Sequence, residues 1–374
     1  MRTIKSRAGD YTVEVFATLG EAIRSIGTDD STRFLVDATV HGLLGAEERA
    51  LVPPPRTVLL EATERSKSYG ALERVFLDLL DRGLRRDGRL VVIGGGVLQD
   101  AGCFVASVLS RGIAWDLVPT TLLAQADSCI GSKSSVNVGP YKNQIGTFYP
   151  PRRVLLVPAL LRTLPPDEIR SGIGEVIKLQ ALSGAAGFAE LSGDLAGWDS
   201  ASPADREALL GRWVERSMDV KHPFIEADEF DRGPRLLLNY GHTFGHAFES
   251  VTGFAIPHGI AVTLGMIAAT AVSARLGMAT TEHAAEVARS LHPWHAPHAA
   301  TLRGVSMGDL VAALARDKKN TGRGLTCILT RGFGRMERIA LGPDDVRDHV
   351  IPCLAELIAS DFLPVTPNQP SLRP

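Results

Sequence analysis

Leu90-Val-Val-Ile-Gly-Gly-Gly-Val-Leu-Gln-Asp100 decides the fold class of this chain. Leu90 to Ile93 reads as a buried strand, the three glycines as a tight turn, and Asp100 as part of the helix that follows. Backbone amides at such a strand-to-helix turn can approach a pyrophosphate, and the helix amino terminus adds partial positive charge. The triplet departs from the Gly-x-Gly-x-x-Gly fingerprint, so by itself it specifies only a turn. Val118-Pro-Thr-Thr-Leu-Leu123, at the end of the next strand, adds two hydroxyls at the edge where open parallel sheets bind ligands. Gly95, Gly96, Thr120, Thr121 and Leu123 are therefore candidate nucleotide contacts.

Outward from this turn, residues 1–157 alternate strand-like and helix-like patterns. Phe34 to Asp37, Thr57 to Leu60 and Trp115 to Val118 read as further buried strands. Leu72 to Leu84 places Leu72, Val75, Phe76, Leu79 and Leu80 on one helical face, and Ala101 to Leu109 forms a second helix. Strand, helix, strand at this spacing predicts an α/β fold with a parallel sheet. Residues 158–362 change texture. Glu168 to Leu182, Pro203 to Lys221, Thr243 to Val251, Gly259 to Leu276, Glu282 to Leu291, Met307 to Arg316 and Pro343 to Ile358 are helix-like, with Leu325 to Leu329 the main strand candidate. A mainly α-helical second domain is expected. Ser192-Gly-Asp and Trp198 to Pro203 read as loops. His292-Pro-Trp-His-Ala-Pro-His298 reads as a surface loop whose prolines prevent helical facing. Residues 363–374, with four prolines, are expected to be a disordered or surface-draped tail.

Composition narrows the function classes. With 374 residues, 45% of them apolar, the chain can bury two cores. A net charge of −2 gives no global basic field for nucleic acid or membrane surfaces. Cys103, Cys129, Cys327 and Cys353 lie far apart without Cys-x-x-Cys spacing and read as buried thiols, not a disulfide framework. No apolar leader opens the chain, and no run reaches the roughly 18 apolar residues of a membrane span. A soluble cytoplasmic protein is expected.

The chemistry concentrates in a carboxylate and three histidines: Glu175 in Gly-Glu-Val-Ile-Lys178, His242 and His246 in Gly-His-Thr-Phe-Gly-His, and His258 in Pro-His-Gly. Carboxylate oxygen and imidazole nitrogen suit borderline divalent metals, and three such ligands leave a position open for substrate. Lys178, three residues after Glu175, projects toward the same site if that stretch is helical. Gln125 to Asn137, followed by Lys142-Asn143, is polar and lysine-bearing but sets Asp127 and Lys133 among apolar residues, which fits a clamp for phosphate and hydroxyls better than a plain surface loop. Lys221 and Arg235 add two cations, and arginine offers an anion a bidentate fork. Arg235, Asn239, His242 and His246 would share one face if helical, although Gly241 makes part of the stretch more turn-like. Together these groups outline an anionic, polyhydroxylated substrate beside a metal.

On these motifs, together with Arg111-Gly and Asp317-Lys-Lys-Asn320, the chain resembles the sugar phosphate cyclases, and within them the 3-dehydroquinate synthase family, from about Val36 to Asn320. The resemblance implies a Rossmann-like NAD-binding amino-terminal domain, a helical metal-binding carboxyl-terminal domain and a homodimer. It implies zinc, or cobalt in its place, on Glu175, His242 and His258. Asp37, Glu64, Lys67, Asp100, Thr120, Thr121 and Lys142 would line NAD. Lys133, Asn143, Asn239, His246 and Lys319 would surround the substrate phosphate, with Arg111 reaching over from a second subunit. Asp127 and Lys178 would bind ring hydroxyls, and Lys221 and Arg235 the substrate carboxylate. The implied reaction converts 3-deoxy-arabino-heptulosonate 7-phosphate to 3-dehydroquinate and phosphate through oxidation, elimination, reduction and intramolecular aldol closure, as in the shikimate route. Relatives of sedoheptulose 7-phosphate or glucose 6-phosphate type, and metal-dependent polyol dehydrogenases, are the alternatives. Ser132, Cys129, Gln99, Cys103 and Gly139-Pro-Tyr141 depart from the synthase pattern around the substrate-facing loop.

Overall fold

The protein is described here from a computed structural model, which covers residues 1–27, 29–139, 141–316 and 324–362. By packing, it divides into a unit made of Met1–Ile169 with Ser202–Asp231 and a unit made of Arg170–Ala201 with Arg232 onward.

The first unit is built on one seven-stranded sheet. Its strands are β1 (Arg2–Ile4), β2 (Tyr11–Val15), β3 (Thr32–Asp37), β4 (Thr57–Leu60), β5 (Arg89–Gly94), β6 (Ala114–Pro119) and β9 (Arg153–Leu156), in the order β1-β2-β9-β6-β5-β3-β4. Only the β1–β2 pair is antiparallel. The four strands expected from apolar runs are β3 to β6. β3, β5 and β6 are buried on both faces, as central parallel strands under crossover helices must be, whereas the edge strand β4 leaves Leu59 exposed. Phe34, Val36, Val91, Ile93 and Val118 join one core with Leu19 and Ile23. β2 and β9 escaped the sequence reading because Tyr11–Val15 alternates with polar residues and Arg153–Leu156 is short. A small hairpin, β7 (Val136–Val138) with β8 (Tyr141–Ile145), carries Lys142 and Asn143.

Helices Tyr69–Asp81 and Gly96–Val108 stand where expected, each starting earlier than its apolar face suggested. The helix Pro203–Ala227 continues through Pro223 past the expected end at Lys221. Proline's fixed φ suits a helix and here removes one backbone hydrogen bond near its end.

The second unit is mainly helical, with helices Pro166–Ser183 (from Arg170 on), Ala185–Ala196, His242–Val251, His258–Arg275, Thr281–His295 and Met307–Ala315. β10 (Leu325–Thr330) pairs with β11 (Met336–Leu341), which the sequence reading missed. Two expected loops are corrected. Ser192-Gly-Asp lies inside a helix, where Ser192 Oγ donates to Phe188 O at 2.9 Å instead of breaking the turn. The His292 to His298 stretch is helical to His295 and then forms a 3₁₀ turn, and His295 is 1% exposed. Pro293 falls near the helix end, where one lost bond is tolerated, and the ring of His295 packs against Phe362. The residues after 362 lie outside the described structure. All four cysteines are free and buried, as expected.

Candidate active site

In the first unit the glycine turn lies at the carboxyl end of β5. A Cβ on Gly95 would stand 2.7 Å from Thr121 Cγ2, so only glycine lets the turn and the threonine pair lie this close. Thr120 N–H donates to Gly94 O at 3.1 Å, which ties the end of β6 to the turn. Asp37 caps the next helix by accepting from Thr39 N–H at 2.8 Å.

Around this edge the expected cofactor residues form a charged cradle. Lys67 Nζ lies 2.9 Å from Asp100 Oδ2 and 3.5 Å from Glu64 Oε1, and Lys142 Nζ is 3.8 Å from Glu64 Oε2. Burial works to lower the pKa of Lys67, but Asp100 and Glu64 outweigh it and hold the ammonium above its ordinary value. Asn137, which sequence reasoning did not single out, knits the cradle together. Its amide donates to Glu64 Oε2 at 3.0 Å and its carbonyl accepts from Asn143 N–H at 2.8 Å.

The polar stretch after β6 begins as a π-turn, Ala124–Ser128, that presents Asp127. Lys221 Nζ meets Asp127 Oδ1 at 2.5 Å, and Lys133 Nζ meets Asp231 Oδ2 at 2.8 Å. Arg111 is exposed on a left-handed turn with φ 66°.

In the second unit the metal-type donors converge because helices cross at glycines. A Cβ on Gly174 would lie 2.2 Å from Gly259 O, and one on Gly259 would lie 1.8 Å from Ser171 O. That crossing sets the next residue, Glu175, beside the preceding one, His258. A second close approach, with a Gly265 Cβ 1.8 Å from Gly241 O, brings the His242–Val251 helix against the His258–Arg275 helix.

The result is a compact donor set. Glu175, 1% exposed, has Oε1 at 3.2 Å from His258 Nε2 and 3.6 Å from His242 Nε2. One ligand nitrogen from each of His242, His246 and His258 lies within 4.8 Å of the others. Lys178, 2% exposed, forms an ion pair with Glu175. Arg235 is buried at the start of the 3₁₀ turn Pro234–Asn239, and Gly241 at φ 82° begins the histidine helix, so the turn-like reading of this block holds over the continuous face. Lys319 lies outside the described residues.

A carboxylate and imidazoles at these separations match the donor chemistry of a divalent metal centre. His242 Nδ1 lies 3.3 Å from Tyr240 O, and His258 Nδ1 lies 3.1 Å from Glu249 Oε2. Fixing one ring nitrogen leaves Nε2 aimed at the cluster. Glu249 was missed from sequence, although its spacing of seven from His242 and three from His246 places all three on one helical face. Burial works to lower the pKa of His258, and its bonds to Glu175 and Glu249 reverse this and push it up to about 10. A metal entering here would displace that proton.

The family model for the 3-dehydroquinate synthase N-terminal region matches residues 57–171, and that for the C-terminal region matches residues 172–320. The chain is 34% identical to the 3-dehydroquinate synthase of Enterococcus faecalis over 356 residues, covering 92% of this chain and 96% of that protein. It is 37% identical to the corresponding synthase of Rhodopseudomonas palustris, covering 95% and 97%. Its fold is similar to 2-epi-5-epi-valiolone synthase from Streptomyces hygroscopicus, solved with NAD+ and Zn2+, at a TM-score of 0.77 and 24% identity over 96% of this chain and 100% of that one. A 2-deoxy-scyllo-inosose synthase complexed with carbaglucose-6-phosphate, NAD+ and Co2+ gives 0.75 at 20% identity over 96% and 99%. The chain belongs to the 3-dehydroquinate synthase family of sugar phosphate cyclases, phosphate-eliminating carbon–oxygen lyases.

Proposed function

We propose that this protein is a 3-dehydroquinate synthase acting on 3-deoxy-arabino-heptulosonate 7-phosphate. The observation that carries the substrate reading is the burial of Arg235 and Lys221, at 7% and 6% exposure. Lys221 is held out of solvent beside Asp127, and the family assigns this pair of cations to a carboxylate that neutral sugar phosphates lack.

NAD on the β5–β6 edge would take and return a hydride, and a divalent metal on Glu175, His242 and His258 would polarise the oxygen beside the acidified C–H. The protein's own groups bind and position. His246 is the exposed member of the histidine group, which suits a contact to the phosphate better than a place in the coordination shell. Lys133, Asn143 and Asn239 complete the phosphate contacts, with Arg111 supplied by a second copy in a homodimer. Lys178 and Asp127 orient ring hydroxyls, Lys178 with its charge held beside Glu175. This positioning removes rotational freedom before reaction, and the departing phosphate can accept the proton itself.

The test compares phosphate release from 3-deoxy-arabino-heptulosonate 7-phosphate, sedoheptulose 7-phosphate and glucose 6-phosphate by the NAD- and zinc-loaded protein, with product masses. Faster release from sedoheptulose 7-phosphate overturns the substrate reading. Arg235→Ala is expected to raise KM for the acid about tenfold to a hundredfold, the worth of a charge-assisted bidentate contact of roughly 1.5–3 kcal/mol, and to affect a substrate without the carboxylate less.

A further inference from the structure

Two residues with side chains in left-handed backbone conformations flank the lysine assigned to the phosphate. Ser132 has φ 56° and Asp231 has φ 57°. Non-glycine residues rarely hold this conformation, and when they do the surrounding structure must fix it.

At Ser132 the fixing is visible. Its Oγ donates to Glu229 Oε1 at 3.1 Å, and Glu229, only 8% exposed, also accepts from Ser6 Oγ at 2.5 Å and Arg7 N–H at 2.8 Å. The carbonyl of Ser132 accepts from Tyr149 N–H at 2.6 Å, and Gly131 N–H donates to Tyr11 Oη at 3.0 Å. The backbone leading into Lys133 is thus held on several sides. The Lys133 side chain remains 46% exposed, with its ammonium 2.8 Å from Asp231 Oδ2.

Asp231 is anchored differently. The preceding Phe230 packs edge-on against Phe148 at 5.3 Å between ring centroids, and the guanidinium of Arg7 lies over its ring at 5.5 Å. Asp231 itself is 17% exposed in its side chain, and its second oxygen, Oδ1, is buried with no hydrogen-bond partner among the described residues. A left-handed φ and an unsatisfied buried oxygen are both costs, of the kind proteins retain at functional positions.

We propose that Asp231 is the resting counter-ion of Lys133 and yields that lysine to the anionic group of the ligand, with Ser132 and Glu229 holding the backbone from which the lysine swings. This rests on the phosphate role given to Lys133 above. A half-exposed lysine–carboxylate pair contributes little, so it exchanges readily, and a phosphate offers more charge and more acceptor oxygens than a single carboxylate oxygen. Asp231 keeps the ammonium in place between turnovers and competes with the ligand. It acts as a positioning residue, not a catalytic one.

The experiment titrates inorganic phosphate into the NAD- and zinc-loaded protein by calorimetry at constant ionic strength. Asp231→Asn and Asp231→Gly both suit a positive φ and both remove the competing charge. Each is expected to tighten phosphate binding about two- to fivefold. Lys133→Met is expected to weaken binding and to erase the effect of either Asp231 substitution in the double variant. Unchanged or weaker binding in both Asp231 variants, with Lys133→Met still weakening it, overturns the counter-ion role while leaving Lys133 on the phosphate. If Lys133→Met leaves phosphate binding unaltered, the assignment of Lys133 falls, and the proposal with it.

Discussion

The sheet edge proposed for NAD in the first unit and the metal-type cluster of the second are assembled by different means. Gly95, Gly96, Thr120 and Thr121 lie at the ends of adjacent strands, β5 and β6, so hydrogen-bonded register brings them together. Glu175 and His258 come from helices far apart in the chain and meet because backbone packs on backbone at Gly174 and Gly259. A cradle set by sheet register tolerates small side-chain shifts, whereas a cluster set by a helix crossing depends on the absence of two Cβ atoms.

The largest effect expected from this difference is at the ligands. His258→Ala should abolish stoichiometric metal and turnover while NAD still binds the first unit, and His246→Ala should keep the metal and lose rate, as elemental analysis and fluorescence titration would show. Equal metal loss in the two variants would place His246 in the coordination shell. Glu249→Ala, which frees the far nitrogen of His258, should weaken metal binding about 10- to 100-fold.

Glycine substitutions separate the two means of assembly directly. Gly259→Ala puts a Cβ against the Ser171 carbonyl, where neither backbone can give way, and is expected to cost about 3 kcal/mol or more and to scatter the metal donors. Gly95→Ala meets the movable side chain of Thr121, so it should cost about 1 kcal/mol, weaken NAD and spare the metal. Denaturant melts paired with separate NAD and zinc titrations would read this out; metal binding intact in Gly259→Ala would refute the crossing as the organising contact.

A further effect, remote from both assemblies, concerns acid. Burial first, and the charge of neighbouring His292 second, lower the pKa of His295 to about 4. The unfolded chain takes up this proton near the ordinary pH of about 6.5 while the folded chain resists it. Stability is therefore whole above that value and declines as pH falls toward about 4, by roughly 3 kcal/mol at the limit. As pH falls between these limits, the stability difference between the wild type and His295→Phe should shift by that amount in favour of the variant in melting curves, and parallel curves would discount His295 as the source.

How far each part was legible follows from the range of the forces involved. The four central strands, the glycine turn and most helices were readable because apolar runs and periodicity are local. Loop readings at Ser192 and His292 to His298 failed where packing overrode weak local signals from serine, glycine and proline. The donor residues could be named from their chemistry, since Glu175, His242, His246 and His258 stand in motifs with metal-type ligands. Glu249, Asn137 and Asp231 could not, because an acid or an amide acquires its role from the partner it meets.

The sequence by itself determined the α/β and helical halves, the anion- and metal-seeking residue types and, through its motifs, the family. Tertiary structure alone decided that Ser202–Asp231 packs with the first unit, that Lys221 meets Asp127, that Lys133 rests on Asp231, and that Glu249 orients His258. The physical reason is distance along the chain. Propensity and periodicity act over a few residues, whereas the helix crossings and ion pairs that finish these sites exist only once segments separated by scores of residues have been brought into contact.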